Sequence, residues 1–239
     1  MIRKTRDAFT LPKLRGRMSG FTLIELLVVI AIIATIAAFA VPALTSALTK
    51  GQMTGTMNNA RQLYLAGYQM ALDGSTNSDA NLAWPGDYTS GSVTTLNAYV
   101  QKLVQNDYLK ASDLPKILSA PGATCTATSS GTGSSATVTL SGTSGLKVYP
   151  VTSADGSNVI FCLTSNYVYD TDLTATANPY GDKGFVVIRK AGDAAVLRRN
   201  NAVMQSGQTA SFESLVGKKP GEAQNTVTPG DPSGVLKYP

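Results

Sequence analysis

The 239-residue sequence has no histidine, two cysteines and a single tryptophan. Without histidine, Ser-His-Asp and Cys-His nucleophile systems are excluded, together with every zinc site that includes an imidazole. Cys125 and Cys162 are too few for a four-cysteine metal site, and they suit either one disulfide or two unpaired thiols. Lysine-based or carboxylate-based catalysis is the enzymatic chemistry that remains open.

Excess positive charge is absent from most of the chain, although the formal net charge is +5. The first 20 residues contain one acid, Asp7, and these basic residues: Arg3, Lys4, Arg6, Lys13, Arg15 and Arg17. From residue 21 onward, basic and acidic side chains are equal in number. A basic surface is the electrostatic requirement for a nucleic-acid partner, so no such partner is predicted.

Charge of either sign is absent from Leu26 to Thr49. A helix rises about 1.5 Å per residue, so roughly 20 such residues span a hydrocarbon core of about 30 Å. The segment is therefore long enough to cross a membrane. Residues 1–20 are predicted to be a basic leader, and their charge places the N-terminus in the cytoplasm and the bulk of the chain outside.

The apolar pattern changes after residue 49 but does not stop. Met53, Ala60, Tyr64 and Ala71 belong to a stripe with spacings of three and four, and polar residues fill the other positions. This pattern predicts that one helix continues from the apolar segment, becomes amphipathic and ends near residues 73–74. The stripe is interpreted as packing against the sheet of a head domain.

The remaining chain predicts a mixed head. A helical pattern covers residues 92–118 and is expected to end at Pro115. A Gly/Ser/Thr-rich excursion at 120–145 contains a short strand at 136–140, and strand-like runs follow at 146–151, 158–170, 184–189 and 194–199, the last two forming a hairpin around Gly192. The predicted organisation is a leader (1–20), a transmembrane and assembly half-helix (21–49), a globular head (50–216) and an irregular Pro/Gly-rich tail (217–239).

The stretch GFTLIEL, at residues 20–26 and joined to the charge-free span, resembles the N-terminus of type IV pilins and of the pseudopilins of type II secretion. Gly20 precedes the expected cut, Phe21 would become the new N-terminus, Glu25 lies fifth in the mature chain, and Pro42 falls within the long helix. The resemblance covers roughly 25 to 50 residues. It implies an α+β, pilin-like fold: a long N-terminal helix packed on an antiparallel sheet.

The resemblance also implies what is done to the chain. A membrane-embedded prepilin peptidase and methyltransferase would cut after Gly20 and N-methylate Phe21. Glu25 would then meet the N-terminal ammonium of a neighbouring subunit during assembly. The implied partners are identical and related pilin-like subunits and an inner-membrane assembly platform. The implied location is the bacterial inner membrane, with a periplasmic head and a periplasmic or extracellular filament after assembly.

Pro42, the type of filament and the type of signal each allow two interpretations. Pro42 has either an assembly role or no role beyond being tolerated, as prolines are in many membrane helices. The filament is either a type II secretion pseudopilus, which is the preferred interpretation, or a surface pilus for adhesion, motility or DNA uptake. A conventional secretory signal is a rival interpretation, because Ala38-Phe39-Ala40 forms an A-x-A site after which the mature chain would begin at Val41.

A ligand-binding module, membrane-anchored or secreted, is the alternative from another class. Trp84, in the sequence WPGD, is either part of such a site or a packed indole in a turn, and the turn is preferred. Asp170 and Asp172, with Asp182 nearby, are candidate calcium ligands, but solvated loop acids are the preferred interpretation. No other cofactor and no catalytic residue is predicted.

A disulfide between Cys125 and Cys162 is predicted, because an exported head is exposed to oxidising conditions. The bridge would tether the Gly/Ser/Thr-rich excursion at 120–145, which has few apolar side chains to hold it in place.

Overall fold

A computed structural model of the protein describes residues 20–88 and 92–238. Most of the predicted leader, residues 1–19, therefore lies outside the described part. The chain divides into two compact units with the boundary between Thr45 and Ser46. The second unit contains the sheets and shorter helices, and it confirms the α+β class predicted from the sequence.

Helix α1 spans Leu23–Asn77. It continues past the apolar run as predicted and extends a few residues beyond the predicted end at 73–74. Up to residue 48 its residues are exposed. After that the buried residues recur at helical spacing. They are Met53, Thr56, Ala60, Leu63, Tyr64, Ala66, Gly67, Met70, Ala71 and Gly74.

Two short helices replace the single helix predicted for residues 92–118. Helix α2 spans Leu96–Gln105 and is N-capped by Thr95, whose hydroxyl accepts a hydrogen bond from the Ala98 amide. It ends where Asp107 adopts a φ of 61°. Helix α3 spans Leu114–Leu118 with Pro115 in its first turn. The prediction that Pro115 ends a helix was wrong, because a first-turn residue has no intrahelical acceptor for its N–H and proline loses nothing there.

The strands form two antiparallel sheets. Strands β1 (Cys125–Ser130) and β2 (Thr137–Gly142) pair with each other. Strands β3 (Leu146–Val148), β4 (Ile160–Thr164), β5 (Phe185–Arg189) and β6 (Ala194–Leu197) lie in that order in the second sheet. The β5–β6 hairpin turns at Gly192, whose φ is 87°, as the sequence predicted.

The four-stranded sheet has a hydrophobic cluster on each face. On one face Phe161 and Ile188 pack with the buried stripe of α1, with α2, α3 and with strand β2. On the other face Leu163, Phe185 and Val187 pack with the loops that follow β4 and with helix α4, which spans Thr209–Leu215. The stripe of α1 therefore packs against the sheet, as expected from its periodicity.

The tail contains no helix or strand within its described residues, 217–238, and it is nevertheless held on the sheet. Leu236 and Val148 exchange two backbone hydrogen bonds, and Lys218 forms a parallel β-bridge with Val159. Leu236 is buried in the same cluster as the α1 stripe. The Pro/Gly composition correctly predicts irregular backbone, but the tail packs as part of the head.

Candidate functional site

The predicted processing position lies outside the helix. Gly20 and Phe21 are exposed, with 86% of Phe21 accessible, and α1 begins two residues later. A protease needs accessible backbone that is not already hydrogen-bonded in a helix. The peptide bond between Gly20 and Phe21 meets that condition. Cutting there would leave the whole of α1 in the mature chain.

Thr22 and Glu25 form a reciprocal cap at the start of α1. The Glu25 carboxylate accepts hydrogen bonds from the Thr22 amide at 2.8 Å and from the Thr22 hydroxyl at 2.7 Å. The Glu25 amide donates to the Thr22 hydroxyl at 3.3 Å. This is a capping box, and it satisfies backbone donors that the first helical turn leaves without partners.

Thr22 is a capping residue that the sequence interpretation missed. The signal was present, because Thr-x-x-Glu before an apolar run is the pattern of a capping box. Both residues lie after the predicted cut, so the cap would survive processing. Glu25 therefore has a local structural role in addition to the assembly role that the resemblance implies.

The N-terminal half of α1 exposes a mostly apolar surface. Helix α1 is the one helix of residues 20–88 and 92–238 that is long and apolar enough to cross a membrane, and its most apolar window has a mean hydropathy of 2.8 and no buried residue. Soluble monomers rarely expose large contiguous apolar patches. This surface needs lipid or other helices to cover it. The exposed large side chains are Phe21, Leu23, Ile24, Leu26, Leu27, Val28, Val29, Ile30, Ile32, Ile33, Ile36, Phe39, Val41, Leu44 and Leu48.

Pro42 lies inside the helix without ending it. Proline has no N–H, so the Ala38 carbonyl loses its usual donor four residues on. One turn later the Thr45 hydroxyl donates to the carbonyls of Val41 and Pro42, at 2.9 and 3.0 Å. Such hydroxyl bonds to the preceding turn are a known way for helices to adapt around a proline. They leave both interpretations of Pro42 open.

Cys125 and Cys162 are free, buried thiols, so the predicted disulfide is not formed in this structure. Cys125 begins β1 and Cys162 lies in β4, strands of two different sheets. Burial in apolar surroundings raises the pKa of both thiols, which opposes formation of the reactive thiolate. The excursion is held instead by apolar packing, because Val138 and Leu140 of β2 are buried.

The candidate calcium residues serve other contacts. Asp170 is buried and accepts a hydrogen bond from the Met204 amide at 2.7 Å. Asp172 is exposed, and Asp182 pairs with Lys183 and Arg199 at 3.4 and 3.2 Å. Within the described residues, no group of three metal-binding side chains is brought together. The arrangement gives the calcium hypothesis no support.

Trp84 is a buried indole in a turn, which confirms the preferred interpretation of WPGD. The Asp87 amide donates to the Trp84 carbonyl at 3.0 Å, and the indole makes edge contacts with Phe161 and Tyr68, at centroid distances of 5.8 and 6.1 Å. Lys190 lies over the ring, 5.6 Å from its centroid. These contacts fix the segment after α1 against the sheet.

A buried ion pair anchors the tail. The Lys147 ammonium donates to the Asp231 carboxylate at 2.6 Å, and the Tyr149 hydroxyl donates to the other carboxylate oxygen at 2.7 Å. Burial lowers the pKa of Lys147 even though Asp231 favours its charged form. Burial, with the nearby Asp231 carboxylate, raises the pKa of Tyr149. The pair connects strand β3 to a tail that has no regular structure of its own.

Comparison with known proteins matches the same N-terminal segment and extends beyond it. Residues 15–41 match the family model described as the prokaryotic N-terminal methylation motif. The chain is 31% identical over 106 residues to the type IV major fimbrial protein FimA of Dichelobacter nodosus, covering 42% of this chain and 68% of that protein. It is 39% identical over 93 residues to the fimbrial protein EcpC of Eikenella corrodens, covering 38% and 56%.

No solved structure matches the chain. The alignment with FimA nevertheless covers more than two thirds of that protein, and the methylation motif covers Gly20, Phe21 and Glu25. The described fold has the long apolar helix and the antiparallel sheets that the resemblance implied. This chain therefore belongs to the type IV fimbrial proteins, the type IV pilin family, whose members are structural subunits.

Proposed function

We propose that this protein is a subunit of a surface type IV pilus. It is inserted in the bacterial inner membrane with its N-terminus in the cytoplasm, cut after Gly20, and N-methylated at Phe21. The mature subunit is then drawn into a filament in which the apolar half of α1 packs against the same half of other subunits. The protein is a substrate of the prepilin peptidase and methyltransferase, and its own role is structural.

The observation that carries this proposal is the exposed apolar surface of α1 with a capped carboxylate at its start. A bilayer covers such a surface before assembly, and a bundle of identical helices covers it afterwards. Cleavage in front of α1 preserves the segment, whereas cleavage after Ala40 would remove it. The second outcome leaves no use for the cap formed by Thr22 and Glu25.

Glu25 is proposed to set the register between subunits. A carboxylate near the first turn of a helix is favoured by the dipole, but it remains costly in hydrocarbon unless a cation pairs with it. Cleavage creates such a cation, the ammonium of Phe21, on every subunit. A single charged pair in an otherwise uniform apolar bundle gives one alignment an advantage over all others.

The surface pilus is preferred to the type II secretion pseudopilus that was expected from the sequence. The relatives matched by this chain are fimbrial proteins, one of them a type IV major fimbrial protein. This supports a surface fibre assembled through the inner-membrane platform. It gives the secretion assignment no support.

Replacing Glu25 tests the assembly mechanism. We expect the Glu25→Ala variant to insert and be processed normally, while the filaments sheared from cells decrease by at least about tenfold, since about 1.4 kcal/mol of lost interaction has that effect. The matched control is Thr22→Ala, which keeps the Glu25 carboxylate and loses only the hydroxyl that caps α1 with it. Wild-type filament yield from Glu25→Ala would contradict the proposal.

Deleting the gene distinguishes the two filaments. A surface pilin predicts loss of sheared fibres with an unchanged set of secreted proteins. A secretion pseudopilin predicts the reverse: unchanged fibres and secreted enzymes trapped in the periplasm. The second result would overturn the surface assignment and leave the family assignment intact.

A further inference from the structure

An open pocket of about 430 Å³ lies where helix α4 and the tail meet the turn of the β5–β6 hairpin. Four segments of the head contribute to its walls: residues 157–158 before β4, 189–193, 210–214 and 224–225. We call it the tail pocket. Its lining includes these polar residues with long or branched side chains: Asn158, Arg189, Asp193, Glu213, Gln224 and Asn225.

Backbone hydrogen bonds fix the walls of the tail pocket. The Lys218 amide of the tail donates to the Asn158 carbonyl at 3.0 Å. The Ala191 amide of the hairpin turn donates to the Ser157 carbonyl at the same distance. Ligand sites in proteins are usually formed before the ligand arrives. The tail pocket meets that condition, because its segments are already joined to one another.

Glu213 is a buried carboxylate without a partner in the tail pocket. The residue is 6% exposed, and its Oε1 has no hydrogen-bond partner. No lysine or arginine of the described residues forms an ion pair with it. Asp170 is buried to a similar degree, but it accepts a hydrogen bond from the Met204 amide. Burying a charge is costly unless a partner compensates it, so Glu213 is the group of this pocket that calls for a ligand.

Arg189 is the cationic residue of the lining, and other groups already engage it. One terminal nitrogen pairs with the Asp193 carboxylate, and the other donates to the carbonyls of Ser214 and Leu215. Its Nε has no partner. Because Asp193 balances the charge of Arg189, the negative charge of Glu213 is left without a counter-ion in the pocket.

The chemistry of the lining favours an organic cation. An anion is disfavoured, because the lining contains one more acid than base. Within the described residues no three metal-binding side chains come together, and calcium needs six to eight oxygen ligands. A primary ammonium carries three N–H donors and no acceptor. The exposed side-chain amides of Asn158, Gln224 and Asn225 offer neutral acceptor oxygens in addition to the Glu213 carboxylate.

We propose that the tail pocket binds a primary ammonium group, with the Glu213 carboxylate as its counter-ion. The amides at the mouth of the pocket accept the remaining N–H bonds, and the alkyl chain of the ligand leaves through the open side. A small amine and the lysine side chain of a peptide share this chemistry. The proposal adds a ligand site to the head and does not depend on filament assembly.

Thermal unfolding of the full-length protein in detergent tests the site. The ammonium probes are n-butylamine and Nα-acetyl-lysine methylamide, and 1-butanol is the neutral probe of matching chain length, all at constant ionic strength. We expect both ammonium probes to raise the unfolding midpoint, because a ligand that binds only the folded state stabilises it. 1-Butanol should not raise it. The concentration dependence gives a Kd for each ammonium probe, and the lower Kd indicates whether a free amine or a lysine side chain fits better.

Matched variants connect the binding to the pocket. Glu213→Gln removes the charge and keeps the shape of the side chain, and it should raise the Kd by at least about tenfold. Gln224→Ala removes one amide at the mouth and should raise the Kd by at least about twofold. The control is Asp172→Asn, the same change from acid to amide at an exposed position outside the pocket, and its Kd should be unchanged.

The stability of Glu213→Gln without ligand shows whether the carboxylate is unpaired. We expect its unfolding midpoint to equal or exceed that of the wild-type protein, because a neutral amide costs less to bury than a carboxylate. A midpoint more than about 4 °C lower would show that Glu213 is paired within the protein and would overturn the proposal.

Three further results would overturn the ammonium site. The first is the absence of any rise in midpoint with either ammonium probe. The second is an equal rise with KCl or CaCl₂ in place of the amine, which would indicate an inorganic cation. The third is an equal response of Glu213→Gln and wild type, which would place the binding elsewhere. Each of these results leaves the proposed filament function standing, because none of them measures assembly.

Discussion

Helix α1 contains two apolar stretches with opposite burial. From residue 23 to residue 48 every side chain is exposed, although the segment carries the highest hydropathy of the helix. From Met53 to Gly74 the composition is more polar, yet ten residues are buried. Apolar content therefore does not tell where the head begins. The change from uniform to periodic hydrophobicity does, because only a helix with one apolar face has a protein surface to meet.

The two halves also depend on different interactions. The N-terminal half begins with a hydrogen-bonded cap, and its side chains are exposed. The head half is held by close packing: Leu63 and Met70 are fully buried, and Tyr64 contacts Phe161 edge-on with a centroid distance of 5.5 Å. Substitutions in the two halves should therefore change different measurable quantities.

The largest expected difference in stability is between two Leu→Ala variants, one in each half of α1. Leu63→Ala should lower the free energy of unfolding of the head by about 2 to 5 kcal/mol, because Leu63 is fully buried. Leu27→Ala, in the exposed half, should change it by less than about 0.5 kcal/mol. Urea unfolding of the detergent-solubilised full-length protein measures both. Equal destabilisation by the two variants would break the distinction between the halves.

The tail provides the next test of where the head ends. Asp231→Ala leaves the Lys147 ammonium buried without its partner and should destabilise the head by about 3 kcal/mol. Asp182→Ala is the control: it removes a carboxylate whose partners Lys183 and Arg199 are mostly exposed, and should cost less than about 1 kcal/mol. An unaffected Asp231→Ala protein would show that the tail is dispensable for the head.

Replacing two glycines of α1 by alanine should change the free energy of unfolding by smaller amounts and in opposite directions. A Cβ at Gly67 would clash with the Tyr99 hydroxyl, so Gly67→Ala should destabilise the head by about 1 to 2 kcal/mol. Gly55→Ala meets no atom within 4 Å and should stabilise the helix by up to about 1 kcal/mol. The same urea titration gives both signs. Stabilisation by both variants would mean that α1 packs less closely on Tyr99 than described.

The smallest expected effect is local to the start of α1. Thr22→Ala removes the capping hydroxyl and should weaken the first turn by about 1 kcal/mol, without changing the stability of the head. Hydrogen exchange in micelles should become about fivefold faster at the amides of residues 23–26. Thr35→Ala, whose hydroxyl donates to the Ile32 carbonyl in mid-helix, is the control. Unchanged exchange in Thr22→Ala would show that the Thr22 hydroxyl does not stabilise the first turn.

The sequence was most informative where periodicity is strong. It predicted α1, the β5–β6 hairpin and the short strand that became β2. It missed β1, because Cys125–Ser130 is rich in serine and threonine and has one buried residue. It also extended β4 to residue 170. That strand ends at Thr164 because Tyr167 and Tyr169 turn to the second core and bond the Ala202 and Gly217 carbonyls.

Residues of a local motif could be named from the sequence, whereas contacts between residues far apart in the chain could not. Gly20, Phe21 and Glu25 are proposed from a local motif, and their roles in cleavage and assembly stay predictions. The pairing of Lys147 with Asp231 depends on a contact between residues 84 positions apart. No periodicity or composition in the tail reports such a contact. The cap formed by Thr22 was within reach of pattern analysis and was overlooked.

The mass of the mature N-terminal peptide shows whether the chain is cut after Gly20. The protein would be isolated from cells in its native filament or membrane fraction, digested, and analysed by mass spectrometry. We expect a chain that begins at Phe21 with a methylated amino group, so that Glu25 and all of α1 are retained. A chain that begins at Val41, or one that keeps the leader in assembled filaments, would contradict it.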